Sequence, residues 1–389
     1  MDWHDQKLIA YYNKFPEEKR LDSRHGKVEY RLTRHFINQA ISDMGAEGQS
    51  LRVLDIGAGT GRYAGPLAGG GHRVTAVELV RYNIGCMRQK WTGLDIRQGD
   101  ARDLAGAGLG QECNGSFDLI LMLGPMYHLI RDQDKAQALA EAARLLAPRG
   151  RLLVAYLMNE YSVLTYGFGQ RHILELRAKG QAEKGEQTQT ERVQGEQTQA
   201  GRLQEEQAQE GQIQEKRMQE KRMQAERLQT EGVQTEEQVQ EESDKIGSFS
   251  RDHRSKGSLD ASFALQPSPG DLYDYVRLED IAAFDREANR LIRGRWEKAG
   301  RDSQEESLTV GAGRSIRGGN APGRRGAPQL IRERIFSPDG PANYMRRELN
   351  ALSEEEFACF LDYQLAICER ADLLGAGGHL VEVLRLSEK

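Results

Sequence analysis

Apolar residues enter this chain in two rhythms. Over residues 27–44 they recur at helical spacing, with Val28, Leu32, Phe36, Ile37 and Ile41 near one face. This predicts a helix from about Lys27 to Met44, preceded by a shorter one around Trp3–Lys14. From Leu51 onward the apolar positions form short runs bounded by turn residues. Leu51–Ile56, His72–Leu79, Leu94–Asp100, Phe117–Leu123 and Arg151–Leu157 are strand candidates. Helical stretches separate most of them. The clearest places Ala138, Leu139, Ala142, Leu145 and Leu146 on one stripe, with Pro148 and Gly150 as its stop. Strands alternating with helices over about a hundred residues predict a parallel sheet covered on both faces.

Beyond Gly169 the pattern breaks down. From Gln181 to Glu242 a glutamine returns at every fifth position between Gln189 and Gln234, often after an apolar residue such as Leu203, Ile213 or Met218. Five residues advance an α-helix by about 500°, so no apolar stripe forms. An odd period also scatters the apolar residues over both faces of a strand. The expectation for 179–262 is a low-complexity insertion, disordered or a fraying solvated helix. A Gly/Arg/Ser-rich stretch, 294–328, reads as a second insertion and a solvated loop; contact of its arginines with RNA is the alternative. Ordinary globular composition returns between the two, and after them Leu330–Phe336 and His379–Leu386 read as strands. A Ser353/Glu356 capping box opens a long helix between those strands. The organisation expected is an N-terminal helical lid (1–50), a core (51–178), and the rest of the same domain in 263–293 and 329–389.

Composition narrows the function classes. The formal net charge is −5, which gives no global electrostatic case for nucleic acid, DNA included, or for an anionic membrane. Cys86, Cys113, Cys359 and Cys368 fall in no zinc-ligand or CxxC spacing, so no metal is expected. The first twenty residues carry charges throughout and no window approaches eighteen apolar residues, so the expectation is a cytoplasmic protein without a membrane span.

The chemistry concentrates at the predicted strand ends. "LRVLDIGAGTGRY" runs from an apolar strand through Asp55 into glycines at 57, 59 and 61. A dinucleotide fold wants its third glycine where Arg62 stands, and no phosphate-loop lysine follows. For S-adenosylmethionine the turn must meet an ammonium and a carboxylate. Asp55 suits the first, and the amides of Gly57, Ala58, Gly59, Thr60 and Gly61 suit the second. Glu78, followed by Leu79, ends the second strand and can accept both ribose hydroxyls. Asp100 can accept from the adenine amino group, with Ala101 offering a backbone amide, and Leu123 can pack on the adenosine. Each of these residues has a bland reading too, as a tight turn, a helix cap or a surface carboxylate.

"VLDIGAGTGRY", "VTAVEL", "QGDARDL" and "FDLILMLGPMYHL", in that order, resemble the class I S-adenosylmethionine-dependent methyltransferases. "GPMYHL", "VAYLMNE" and "CERADLLGAGGHL" extend the resemblance to a largely uncharacterised bacterial family of that class. It covers roughly residues 1–178, 271–293 and 330–386, and both insertions depart from it. The resemblance implies a Rossmann-like seven-stranded sheet, mostly parallel with an antiparallel last strand, helices on both faces, and S-adenosylmethionine as cofactor. It places Tyr127 and His128 where substrate-facing residues stand. His128 is the candidate general base and Tyr127 a candidate for orienting substrate, the alternatives being a bond to a neighbouring loop and packing on the adenosine. Asn159 and Glu160, just past the fifth strand, face the same rim and are candidates for binding a polar substrate, a helix N-terminus there being the alternative. No N-P-P-Y or D-P-P-Y follows the fourth strand, which favours a small-molecule acceptor over a nucleic-acid base. An RNA or protein substrate, or a non-catalytic cofactor-binding protein using its glutamine-rich arm, are the other readings.

Overall fold

The computed structural model describes residues 3–13, 21–181, 257–267, 271–310 and 327–387. Nearly all of the glutamine repeat, and residues 311–326 of the Gly/Arg/Ser-rich stretch, lie outside them. Strands β1 (Arg52–Ile56), β2 (Arg73–Glu78), β3 (Leu94–Gln98), β4 (Phe117–Met122) and β5 (Leu146–Leu157) run parallel. A two-residue pair, β6 (Ser258–Leu259) and β7 (Leu265–Gln266), stands apart from the sheet. β8 (Leu330–Phe336) and β9 (His379–Leu386) complete the main sheet in the order β3-β2-β1-β4-β5-β9-β8. β9 is antiparallel to both of its neighbours, as the resemblance implies.

The apolar runs are continuous because both faces are covered. Leu54, Ile56, Ile120 and Leu152 pack on one side with Leu139 of α5 (Asp132–Leu145) and with Ile281 and Phe284 of the helix Leu278–Val310. Val53, Ala76, Leu121 and Val381 pack on the other with α2 (Arg24–Asp43) and with Phe357 and Leu361 of the helix Glu354–Ile367. That last helix opens with the Ser353/Glu356 capping box. The apolar residues expected to share one face of α2 are all buried there, and Phe36 stacks on Phe336 with ring centroids 3.8 Å apart. α2 is thus a layer of the fold, and the part of 1–50 that crosses the sheet's carboxyl edge is α1 (Trp3–Tyr12).

Three boundaries differ from the sequence-based expectation. α5 ends at Leu145 rather than at Pro148, because Leu146 already pairs with Phe117 in β4. Pro148 and Gly150 lie instead in a register shift of β5, between Leu146 and Arg151, where a missing amide donor is tolerated. Residues 257–262, expected within a disordered or fraying insertion, are ordered: Ser258 and Leu259 are buried and paired in β6. The helix that begins at Leu278 continues through 294–310, where a loop is expected from composition.

Phe36→Ala removes a buried ring from the stack on Phe336. A loss of about 3–5 kcal/mol in chemical denaturation is expected. Retention of wild-type stability would mean that α2 does not pack on the sheet as described.

Candidate cofactor and acceptor site

The strand order reverses between β2 and β4, on either side of β1, so the crevice for a ligand lies at the carboxyl ends of β1 and β4. Gly57 (φ +69°) makes the turn after β1 at its rim; a Cβ there would come within 2.6 Å of the Pro125 ring beyond β4. Gly61 (φ +80°) serves a different contact. Trp91 lies against it and donates from Nε1 to the Thr60 carbonyl at 3.0 Å. The spacing of the three glycines therefore answers packing and backbone conformation as much as ligand approach.

The turn's amides correct one expectation. Gly57 and Ala58 both donate to Val77 O at 2.8 and 3.1 Å, Gly61 donates to Ala58 O, and Gly59 donates to Glu78 Oε2 at 2.8 Å. A buried amide needs a partner, and the protein supplies these four internally, so they are not a bare nest for a carboxylate. Glu78 also accepts from the Val80 amide at 2.9 Å and from Asn83 at 3.4 Å. Burial raises its pKa, against the lowering effect of those bonds. Its two oxygens retain lone pairs for further donors. Asp55, 3% exposed, accepts from the Ala64 amide; desolvation and then the neighbouring Glu78 charge push its pKa up to about 7. Two adjacent buried carboxylates, with no cationic side chain paired to either among the described residues, form a site that favours positive charge. Asp100 is engaged by Arg102, whose Nε lies 3.0 Å from either carboxylate oxygen. The same guanidinium reaches Asp5 of α1 at 3.0 Å and Asp134 of α5 at 3.5 Å. Ala101 is buried, and Leu79, Leu123 and Ala58 are partly buried at the same edge.

A second cluster stands beyond β4. His128 is buried, and its Nδ1 lies 2.7 Å from the Leu272 carbonyl, which can only accept. Nδ1 therefore carries a proton, and in the neutral ring Nε2 accepts from the Tyr12 hydroxyl at 2.8 Å. Both ring nitrogens are thus bonded within the protein. The general-base candidate already has the Tyr12 hydroxyl and the Leu272 carbonyl as partners. Tyr127 is buried, its ring 6.2 Å from that of His128 and 5.6 Å from that of His379. Tyr11 and Tyr273 meet hydroxyl to hydroxyl at 3.3 Å. Tyr273 and Leu272 arrive on residues 271–276, held by a buried Lys135–Asp274 ion pair and by Asp274 N–H to Tyr127 O at 2.8 Å. Asn159 and Glu160, expected at the rim, do other work. Asn159 bonds to Leu265 and Phe263, and Glu160 pairs with Arg277 at 2.8 Å.

His379 is a residue that the sequence reading misses. It opens β9 opposite Leu157, the end of β5, so it stands on the same carboxyl edge. Its Nδ1 lies 2.8 Å from Asp339 Oδ2 and 3.7 Å from Glu29 Oε2, so Nδ1 carries a proton that it donates to Asp339. Asp339, fully buried, also accepts from the His379 amide and from Asn343. The glycines before it admit this loop: a Cβ on Gly378 would sit 2.7 Å from Asp339 Oδ2. The strand-end position that marks Asp55 and Glu78 also marks His379, once the last strand is known to run backwards. No comparable signal exists for Trp91 or for the Asp5–Arg102 pair.

The raised Asp55 pKa sets a sign for stability. Between about 4 and 7 the native state holds a proton that the unfolded chain has lost, so Asp55 makes stability fall as pH rises through that window. Asp55→Asn removes this slope. Denaturation of the ligand-free protein is expected to show the variant more stable than wild type at pH 8, with the gap closing by pH 4; a constant gap would contradict the shift.

Residues 53–150 match the Methyltransf_25 family, a methyltransferase domain. A ubiquinone biosynthesis O-methyltransferase of Caulobacter sp. (strain K31) is 33% identical over 131 residues, 32% of this chain and 49% of that protein. A demethylmenaquinone methyltransferase of Renibacterium salmoninarum is 32% identical over 136 residues, 35% of this chain and 51% of that protein. The chain thus spans about half the length of these curated relatives. Among solved structures, a 1,6-didemethyltoxoflavin-N1-methyltransferase of Burkholderia thailandensis is 25% identical, with a TM-score of 0.30, covering 40% of this chain and 61% of that one. With the seven-stranded order and the strand-end carboxylates, the match identifies residues 53–150 as a methyltransferase domain of the class I, S-adenosylmethionine-dependent type.

Proposed function

We propose that the protein methylates a small molecule that carries a protic nucleophile. The observation that supports this reading most is the pair of buried carboxylates, Asp55 and Glu78, at adjacent strand ends facing one crevice. In this reading Asp55 meets the ammonium of S-adenosylmethionine and the remaining lone pairs of Glu78 meet the ribose hydroxyls. Asp100, held by Arg102, and the Ala101 amide meet the adenine edge. Leu79 and Leu123 flank the adenosine, and Ala58, Gly59, Thr60 and Gly61 shape the floor. The cofactor supplies an electrophilic methyl on a sulfonium. The protein's part is alignment, and acceptance of one proton from the nucleophile.

Tyr12 and Tyr127, with Tyr11 and Tyr273, make the acceptor side aromatic, which suits a ring-bearing small molecule. The two curated relatives, a ubiquinone biosynthesis O-methyltransferase and a demethylmenaquinone methyltransferase, point to the same class. Of the two histidines, His379 is the better proton acceptor. Asp339 behind Nδ1 stabilises the imidazolium that forms, whereas no carboxylate backs His128, whose Nδ1 meets the Leu272 carbonyl. α1 acts as the cover, fixed at its two ends through Asp5–Arg102 and Tyr12–His128.

The test is incubation with methyl-labelled S-adenosylmethionine and separated metabolite, RNA and protein fractions of a cell extract. Label is expected in the metabolites; label in RNA or protein alone would refute a small-molecule acceptor. With the labelled metabolite as assay, His379→Asn is expected to lower turnover by about a hundredfold or more while cofactor affinity stays within about twofold. Turnover near wild type would remove His379 from the proton path.

A further inference from the structure

A cleft of about 520 Å³ opens between the outer face of α2 and the residues after the glycine turn. Lys27, Arg31 and Arg34 line it from α2, and Arg62 from the turn, with Tyr30 between them. In a chain of net charge −5 this is a concentration of four cations against one carboxylate, Asp22, which Arg62 already binds at 2.9 Å. Among the described residues Lys27, Arg31 and Arg34 form no ion pair. Lys27 stands four residues before Arg31, and Arg31 three before Arg34, so each neighbours a like charge where a helix ordinarily gains from an opposite one. Glu29, the acid nearest in sequence, lies on the buried face. The guanidinium carbons of Arg34 and Arg62 lie 5.8 and 5.2 Å from the Tyr30 ring centroid, which presets both forks. The Nε of Arg62 is buried and has no hydrogen-bond partner among the described residues.

We propose that this cleft binds a small ligand bearing two or more linked phosphoryl groups. Guanidinium forks match phosphoryl oxygens in bidentate fashion. The cations on α2 are spread over about 10 Å of helix, too far for a single oxyanion to meet them all. The volume is that of a small-molecule site rather than of an extended nucleic-acid track. The proposal does not depend on the methyltransferase reading, since none of these side chains belongs to the crevice at the β1 and β4 ends.

The probes are inorganic tripolyphosphate, orthophosphate and a 20-nucleotide RNA, titrated into the full chain by calorimetry. Tripolyphosphate is expected to bind at least about tenfold more tightly than orthophosphate, with an affinity that falls as salt rises. Arg31→Gln/Arg34→Gln, at two exposed positions, is expected to weaken it by about tenfold or more, the loss of two charge-assisted hydrogen bonds. The circular-dichroism spectrum and thermal unfolding midpoint of the same variant, unchanged from wild type, report that the fold is intact. Equal affinity in variant and wild type, or binding of RNA but not of tripolyphosphate, would overturn the proposal.

Discussion

The Glu78 carboxylate, accepting from the Gly59 and Val80 amides, is the contact on which the rest of the site depends. It ties the end of β2 to the turn after β1, and so fixes the crevice floor before any ligand arrives. It also places a second negative charge beside Asp55 in a region from which water is excluded. Such an arrangement costs stability in the ligand-free protein, and a cation in the crevice recovers it. The glycine turn is bent to serve this contact: three of its amides are spent on β2, and its third glycine admits the Trp91 ring.

A raised carboxylate pKa does not mark a ligand site by itself. Glu382, in the interior of β9, is pushed up to about 8 by burial and by Asp285, yet it hydrogen-bonds Tyr156 at 2.7 Å and Arg332 at 2.8 Å within the sheet–helix interface. It braces the reversed strand against its neighbours. Asp55 differs because it sits at a strand end, at the topological reversal, where the sheet opens. Position decides between the two meanings.

Much of this was legible from residue order. Short apolar runs ending in Asp55, Glu78 and Asp100 gave the parallel core and one side of the crevice, since a buried parallel strand must be apolar along its length and its carboxyl end is where polarity returns. The destinations of individual donors were not legible. Whether the Gly59 amide points to a ligand or to Glu78 depends on the backbone conformation of the turn, with Gly59 at φ +57°. The pairing of His128 with Tyr12 joins residues 116 positions apart. The role of Asp339 behind His379 depends on two chain segments meeting across Gly377 and Gly378. Pro148 misled for a local reason: a proline reads as a helix stop, while here the strand had already begun and a register shift accommodated it.

The central claim is that Asp55 and Glu78 form a preformed site for the charged cofactor. A cation brought against Asp55 must lower its raised pKa, so binding near pH 6 releases a proton. Calorimetric titration of S-adenosylmethionine at that pH, in two buffers of different ionisation enthalpy, measures the release directly. The account predicts net proton release by the wild type and none by Asp55→Asn. Binding with no proton exchange, or the same exchange in both proteins, would contradict it.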